Sequence, residues 1–229
     1  MILIVHFGGQ YTDLIRRAIN DEKVRAQVLE PHQVPDVPPS NVAGIVLSGG
    51  PMSVHPAALE CGQKILAWRL PVLGICFGHQ LLAVLGGGTV TPQHSREYGR
   101  AQFERKGLSP LTQDFPSSPK LRVWMSHGDT VTALPKDSEW TILGYTERDQ
   151  YAAIANDRRR LYGVQFHPEV TQTECGPHIF RNFLHTICHA LKDFSATNLV
   201  EAARAQITGH VPTDGHILVA CSLGVDSTT

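Results

Sequence analysis

Short apolar runs separated by helical periodicity constrain this chain more than any other feature. Ile2 to Phe7, Gly44 to Leu47 and Val72 to Ile75 contain almost no polar residue. A strand with one face in water alternates apolar and polar positions, so a run apolar throughout is covered on both faces. Between the first runs, Tyr11, Leu14, Ile15, Ala18 and Ile19 fall at the i, i+3, i+4 spacing of an amphipathic helix over residues 10–20. Further helices are expected at 57–68, with Leu59, Ile65 and Leu66 inward, and from Gly78 to Leu85. Val24 to Leu29 reads as another strand. This alternation predicts an α/β fold: an open, mostly parallel sheet with right-handed crossovers and helices on both faces.

From about residue 98 to 165 the texture changes. Leu121–Met125, Thr141–Tyr145, Tyr151–Ala155 and Leu161–Phe166 follow one another with few helices between them, which predicts a mixed or antiparallel extension of the sheet. A last helix is expected over 177–191, with Ile179, Phe180, Phe183, Leu184, Ile187 and Leu191 as its apolar face. After Lys192 the organisation restarts: Phe194-Ser195-Ala196-Thr197 reads as a linker with a helix N-cap, a helix runs to about Ile207, and 216–221 is one more strand. The expected division is one domain over 1–192 and, over 193–229, a linker with the truncated start of a second. The piece from about 196 has a strand without a sheet of its own and is expected to dock loosely.

A chain of 229 residues is long enough for one well-cored domain. Its 20 basic and 21 acidic residues nearly balance, which argues against nucleic acid or an anionic membrane as partner. Arg158-Arg159-Arg160 reads as a solvated turn between strands. The five cysteines form no CxxC pair and are odd in number. That argues against a disulfide framework or a zinc knuckle and for a reducing compartment. The first residues read as a strand rather than a signal peptide, and the apolar runs are too short to span a bilayer, so a cytoplasmic location is expected. Oligomeric state is left open.

The sharpest chemical signal is Gly74-Ile75-Cys76-Phe77-Gly78-His79-Gln80. A buried strand runs into a cysteine framed by glycines and then into a helix. Such an elbow holds a nucleophile on a sharp turn, and the helix N-terminus behind the sulfur favours the thiolate. A lone buried cysteine would more often be a small core residue; the glycine frame tips the reading to a nucleophile. Its base and orienting acid are read from Gly163-Val164-Gln165-Phe166-His167-Pro168-Glu169. His167 and Glu169, two apart at a strand end, are expected to project the same way, so that the carboxylate sets the imidazole tautomer. Ser48-Gly49-Gly50-Pro51 follows a buried strand and should reach the same sheet edge, where the N–H of Gly50, with that of Phe77, would receive an oxyanion. Trp124-Met125-Ser126-His127-Gly128-Asp129 is a further polar cluster, expected at a strand end. His127 ranks below His167 as the base because it lacks the nearby carboxylate in the same constellation. His6, His55 and His94 read as surface or packing residues, and no residue set has convincing metal spacing.

Taken together, GICFGHQ, SGGP and GVQFHPEV resemble the class I, triad-type glutamine amidotransferases over about residues 1–192. Four further segments are similar to the GMP synthase branch of that family: IVHFGGQYT at 4–12, REYG at 96–99, WMSHGD at 124–129 and HPEVTQTECG at 167–176. The resemblance implies a flavodoxin-like sheet, a Cys76–His167–Glu169 triad hydrolysing L-glutamine, and a glutamine site that includes Gln80, Ser126 and His127. It implies no cofactor for that step. It also implies a synthetase (ATP-pyrophosphatase) domain or subunit, which with ATP and Mg2+ aminates XMP to GMP. Ser222-Leu223-Gly224-Val225-Asp226-Ser227 looks like the start of its ATP loop, with Ser222, Gly224, Val225, Asp226 and Ser227 in the phosphate-gripping positions and Leu223 where a glycine is usual. The chain departs from the branch at His6, where an acidic residue is common, and at Cys175, where an aromatic one is. Alternatives within the fold are a γ-glutamyl peptidase and an amidotransferase for another acceptor, of the anthranilate or aminodeoxychorismate synthase type; outside enzymes, the alternative is a non-catalytic module.

Overall fold

A computed structural model describes residues 1–135, 139–195, 207–209 and 215, and of residues 93–96 the backbone alone. The chain divides into two compact units, Met1–Asp193 and Phe194–Thr229. In the first, the strands are β1 (Ile2–Val5), β2 (Ala26–Leu29), β3 (Gly44–Leu47), β4 (Val72–Ile75), β5 (Thr89–Arg105), β6 (Lys120–Ala133), β7 (Thr141–Tyr145), β8 (Ala153–Asn156) and β9 (Leu161–Val164). They form one sheet in the order β2-β1-β3-β4-β9-β8-β7-β5-β6. The first five in that order are parallel, and every pairing from β9 onward is antiparallel. The α/β class and the mixed extension expected from the apolar runs are both present.

Helices α1 (Thr12–Asp21), α2 (Pro56–Ala67), α3 (Phe77–Leu85) and α4 (Gly176–Arg181) cover the parallel half. The two-residue period of β1 divides the core between the sheet's faces. Ile2 and Ile4 pack with Ile15 and Ile19 of α1 and with Ile179 and Phe180 of α4. Leu3 and Val5 pack with Ala58 and Ile65 of α2 and Leu81 of α3. Each such aliphatic side chain contributes on the order of 1.5–3 kcal/mol when fully buried. The parallel crossovers therefore hold both faces of the sheet dry, and the strand ends open toward one edge.

Three expectations are corrected. Strand β5 was not anticipated: it carries Pro92 and a polar stretch, and its identity comes from pairing with β6, with a register break between Pro92 and Glu97. Strand β6 is far longer than Leu121–Met125, so the Trp124–Asp129 cluster lies inside a strand rather than at its end. The last helix is α-helical only over Gly176–Arg181, and its backbone then widens into a π turn at Asn182–Ile187. Buried Asn182 donates there to the carbonyls of Leu111 and Gln113 at 3.0 and 2.6 Å, an anchor absent from an even apolar periodicity. The turn closes at His189 (φ +49°), and Leu191, expected on the buried face, is 75% exposed.

The Arg158–Arg160 run is a turn joining β8 to β9, as expected. His55 caps α2 by accepting from the Ala58 N–H, and His6 bonds the Thr12 hydroxyl at 2.7 Å, both packing roles. Of the second unit, residues 207–209 are helical. The strand expected at 216–221 and the loop residues Ser222, Gly224, Val225, Asp226 and Ser227 lie outside the described residues.

Candidate active site

Cys76 sits between β4 and α3 with φ +53° and ψ −105°. A non-glycine residue rarely adopts that conformation, at a cost of about 1–3 kcal/mol, and it persists only where the surroundings enforce it. The enforcement is visible: Cys76 N–H donates to the Val164 carbonyl at 2.8 Å, its carbonyl accepts from Gln80 N–H at 3.1 Å, and Gly78 N–H donates to the Ser48 carbonyl at 3.1 Å. A Cβ at Gly78 would overlap the Leu47 carbonyl, so the elbow closes on β3 only with glycine there. The thiol is 4% exposed and faces the Ser126 carbonyl at 3.5 Å.

His167 and Glu169 lie beyond the end of β9, so the alternation of a strand does not orient them as expected. The turn itself does. His167 N–H donates to the Trp124 carbonyl at 2.9 Å, moving the chain from β8 over to β6. His167 Nδ1 then meets Glu169 Oε1 at 2.7 Å, with the carboxylate fully shielded from solvent. The opposite edge of the ring faces Cys76: the point where a Gly49 Cβ would stand is 3.1 Å from His167 Cε1 and 3.6 Å from Cys76 Cβ. Tyr11, at the N-cap of α1, packs edge-on against the imidazole with centroids 5.0 Å apart. Burial alone would disfavour a charged imidazole. Its bonds to Cys76 and Glu169 and their negative charge outweigh burial and raise the His167 pKa from about 6.5 to about 10. The site thus favours an imidazolium between sulfur and carboxylate.

These groups open onto a cleft of about 640 Å³. Gly50, Gln80, Ser126 and His127 line it together with Cys76 and His167. Glu169 and Phe77 do not: Glu169 stands behind His167, and the buried Phe77 ring packs on Phe7 with centroids 5.0 Å apart. The Phe77 N–H is in the first turn of α3, where N–H groups lack intrahelical partners. The floor is a hydrogen-bonded set in which the Asp129 carbonyl accepts from Gln80 Nε2 and faces His127 Nδ1, both at 2.8 Å. His127 Nε2 meets Glu97 Oε2 at 3.3 Å. That corrects the expectation that His127 has no carboxylate nearby: Glu97 stands opposite it across the β5–β6 ladder, 30 residues away in sequence. Sequence reading also missed Tyr11, Tyr98 and the Gly8-Gly9 loop as cleft residues. Tyr11 could only be read as part of a helix face, and Tyr98 depended on a strand not anticipated. Among the described residues no group of three or more His, Cys, Asp or Glu is placed to hold a metal ion.

A cysteine on a positive-φ elbow at the edge of a mostly parallel sheet, a His–Glu pair beyond the next strand and an adjoining glycine loop describe one class of protein. Residues 3–187 match the family model "Glutamine amidotransferase class-I", and the chain belongs to that family. Its relatives narrow the class. The chain is 40% identical to the GMP synthase [glutamine-hydrolyzing] of Elusimicrobium minutum over 99% of its own length and 44% of the relative's. It is 40% identical to the protein of the same name from Prochlorococcus marinus, covering 43% of it. It thus spans less than half the length of these curated relatives. Among solved structures, a GMP synthase subunit from Thermoplasma acidophilum superposes with a TM-score of 0.70 at 26% identity, over 91% of this chain and 97% of that one.

Proposed function

We propose that this chain is the glutaminase part of a GMP-synthesising system, hydrolysing L-glutamine to glutamate and ammonia. The observation that carries the proposal is the presence of Cys76 and His167 on one cleft, with Glu169 bonded behind the imidazole and the cysteine held at a positive-φ elbow. In this reading the Cys76 thiolate attacks the side-chain amide carbon, and His167, charged and oriented by Glu169, protonates the departing ammonia. The N–H groups of Gly50 and Phe77 receive the oxyanion. Water, deprotonated by His167, then cleaves the γ-glutamyl thioester and releases glutamate. Gln80, Ser126 and His127 hold the glutamine.

The chemistry calls on no cofactor. Ammonia passes to a synthetase domain or subunit that uses ATP and Mg2+ to aminate XMP, an assignment supported by the names and greater length of the relatives. Residues 193–229 are read as the linker and beginning of that domain. Among the described residues no helix is long and apolar enough to cross a membrane, and we place the reaction in the cytoplasm. The test is glutamate release from glutamine by this chain beside Cys76→Ala. Release above that variant is expected; equal rates would overturn the triad. Adding an isolated synthetase domain with ATP and XMP should then yield GMP, and no GMP would point to another acceptor.

A further inference from the structure

The segment carrying His167 continues through Thr171-Gln172-Thr173-Glu174, a stretch to which hydrolysis assigns no task. Thr173 is 2% exposed, and its hydroxyl is used twice. It donates to the His167 carbonyl at 2.6 Å and accepts from the Trp124 N–H at 3.1 Å. The His167 N–H donates directly to the Trp124 carbonyl at 2.9 Å. Residues facing one another in a hydrogen-bonded antiparallel pair exchange two N–H···O bonds. Here one of the two is direct and the other passes through the threonine hydroxyl. The hydroxyl therefore sets how far the His167 backbone stands from β6 and how it tilts.

One residue on, the same loop is fastened again. Glu174 N–H donates to the Arg122 carbonyl at 2.9 Å, and Glu174 Oε2 and Oε1 accept from Arg122 N–H and Nε, each at 2.7 Å. Two positions along β6 from Trp124, the Ser126 carbonyl faces the Cys76 sulfur. One strand thus references both the base, through Trp124, and the nucleophile, through Ser126. A buried hydroxyl with donor and acceptor both committed is costly to lose, because its partners are left unpaired.

We infer that Thr173 is a positioning residue for His167: its hydroxyl, inserted between the His167 carbonyl and the Trp124 N–H, fixes the imidazole relative to Cys76. This rests on the reading of Cys76 and His167 as nucleophile and base. The test compares Thr173→Val, of equal shape without the hydroxyl, with Thr173→Ser, which keeps it, in the full 229-residue chain. Two readouts are taken: kcat and KM for glutamate release, and the pH profile of iodoacetamide alkylation at Cys76, followed by peptide mass. For T173V, kcat is expected to fall about 10- to 100-fold with KM within about threefold, as misplacement of a reacting group predicts. Its Cys76 alkylation profile is expected to move to higher pH, slowing the reaction about tenfold at pH 7. T173S should stay within about threefold of wild type in both. The inference is overturned if T173V matches wild type in both readouts, or if T173S loses as much as T173V, which would mark a packing role. Should T173V fail to fold, Thr173→Ala replaces it with the same expectations. Absence of glutamate release from the wild-type chain would strike the glutaminase reading, and the alkylation profiles would still decide on Thr173.

Discussion

The two halves of the sheet contribute different things to one cleft. The parallel half, β2-β1-β3-β4-β9, brings the Cys76 elbow, the Ser48–Pro51 loop and the lead into His167, all at the ends of strands. The antiparallel half, β8-β7-β5-β6, brings Ser126, His127, Asp129 and Tyr98 from within strands. Parallel strands all end at the same edge, and the chain must leave that edge in loops and helix starts, where reactive groups can be held at unusual angles. An antiparallel pair passing alongside offers a wall whose shape follows from register. The division we propose is that the first half carries the reacting groups and the second shapes the wall that meets the substrate.

That division can be broken by experiment. In the parallel half, His167→Ala should lower kcat for glutamate release by about 10³-fold, the scale of a lost general base. Gly78→Ala places a Cβ against the Leu47 carbonyl. It should cost about 1–3 kcal/mol in urea unfolding and lower kcat about 100-fold by displacing the elbow.

Glu169→Gln should lower kcat about 10- to 100-fold and shift its pH dependence. The Cys76 and Glu169 bonds hold the His167 pKa up at about 10, so loss of the carboxylate charge lowers it and the alkaline limb of the kcat profile moves to lower pH. The same elevation has a sign for stability. The folded value exceeds the unfolded one of about 6.5, so the stabilisation is complete below that pH and is lost as pH rises toward about 10. In E169Q this alkaline loss should shrink, as read from urea midpoints across that window.

Glu97→Gln probes the antiparallel wall. It weakens the support of His127, and through it the Asp129 carbonyl that Gln80 also uses. KM for glutamine should rise about tenfold with kcat within about threefold, the pattern of lost uniform binding. A fall in kcat as large as that of G78A would end the separation of the two halves. The smallest effect belongs to Asp13→Asn, which breaks exposed pairs with Arg16 and Arg17 on α1. It should change stability by less than about 0.5 kcal/mol and leave both kinetic constants alone.

The parallel half was legible because its signals are local. Gly44–Leu47 and Val72–Ile75 are strands over the residues their apolar runs mark, and the glycines around Cys76 announce a turn before any contact is known. The antiparallel half was legible only in part: Thr141–Tyr145 is a strand over the residues its pattern marks, but β5 has no period of its own. Its Pro92 and its polar residues become a strand only through the ladder with β6. The last helix shows the same limit at smaller scale. Its apolar spacing predicts continuation to Leu191, and the Asn182 anchor to Leu111 and Gln113 diverts the backbone first.

By itself the sequence determined the α/β class, the alternation of strands and helices in the parallel half, the glycine-framed turn at Cys76 and the pairing of a histidine with a carboxylate two residues on. Those properties reside in residue type and short-range spacing, and burial enforces them wherever the chain folds. Only the tertiary structure decided that His127 has Glu97 as its partner, that Tyr11 packs against His167, and that a threonine hydroxyl joins His167 to Trp124. Each of those contacts joins residues that separate strands or turns bring together. Register, which sequence spacing leaves free, sets their distances.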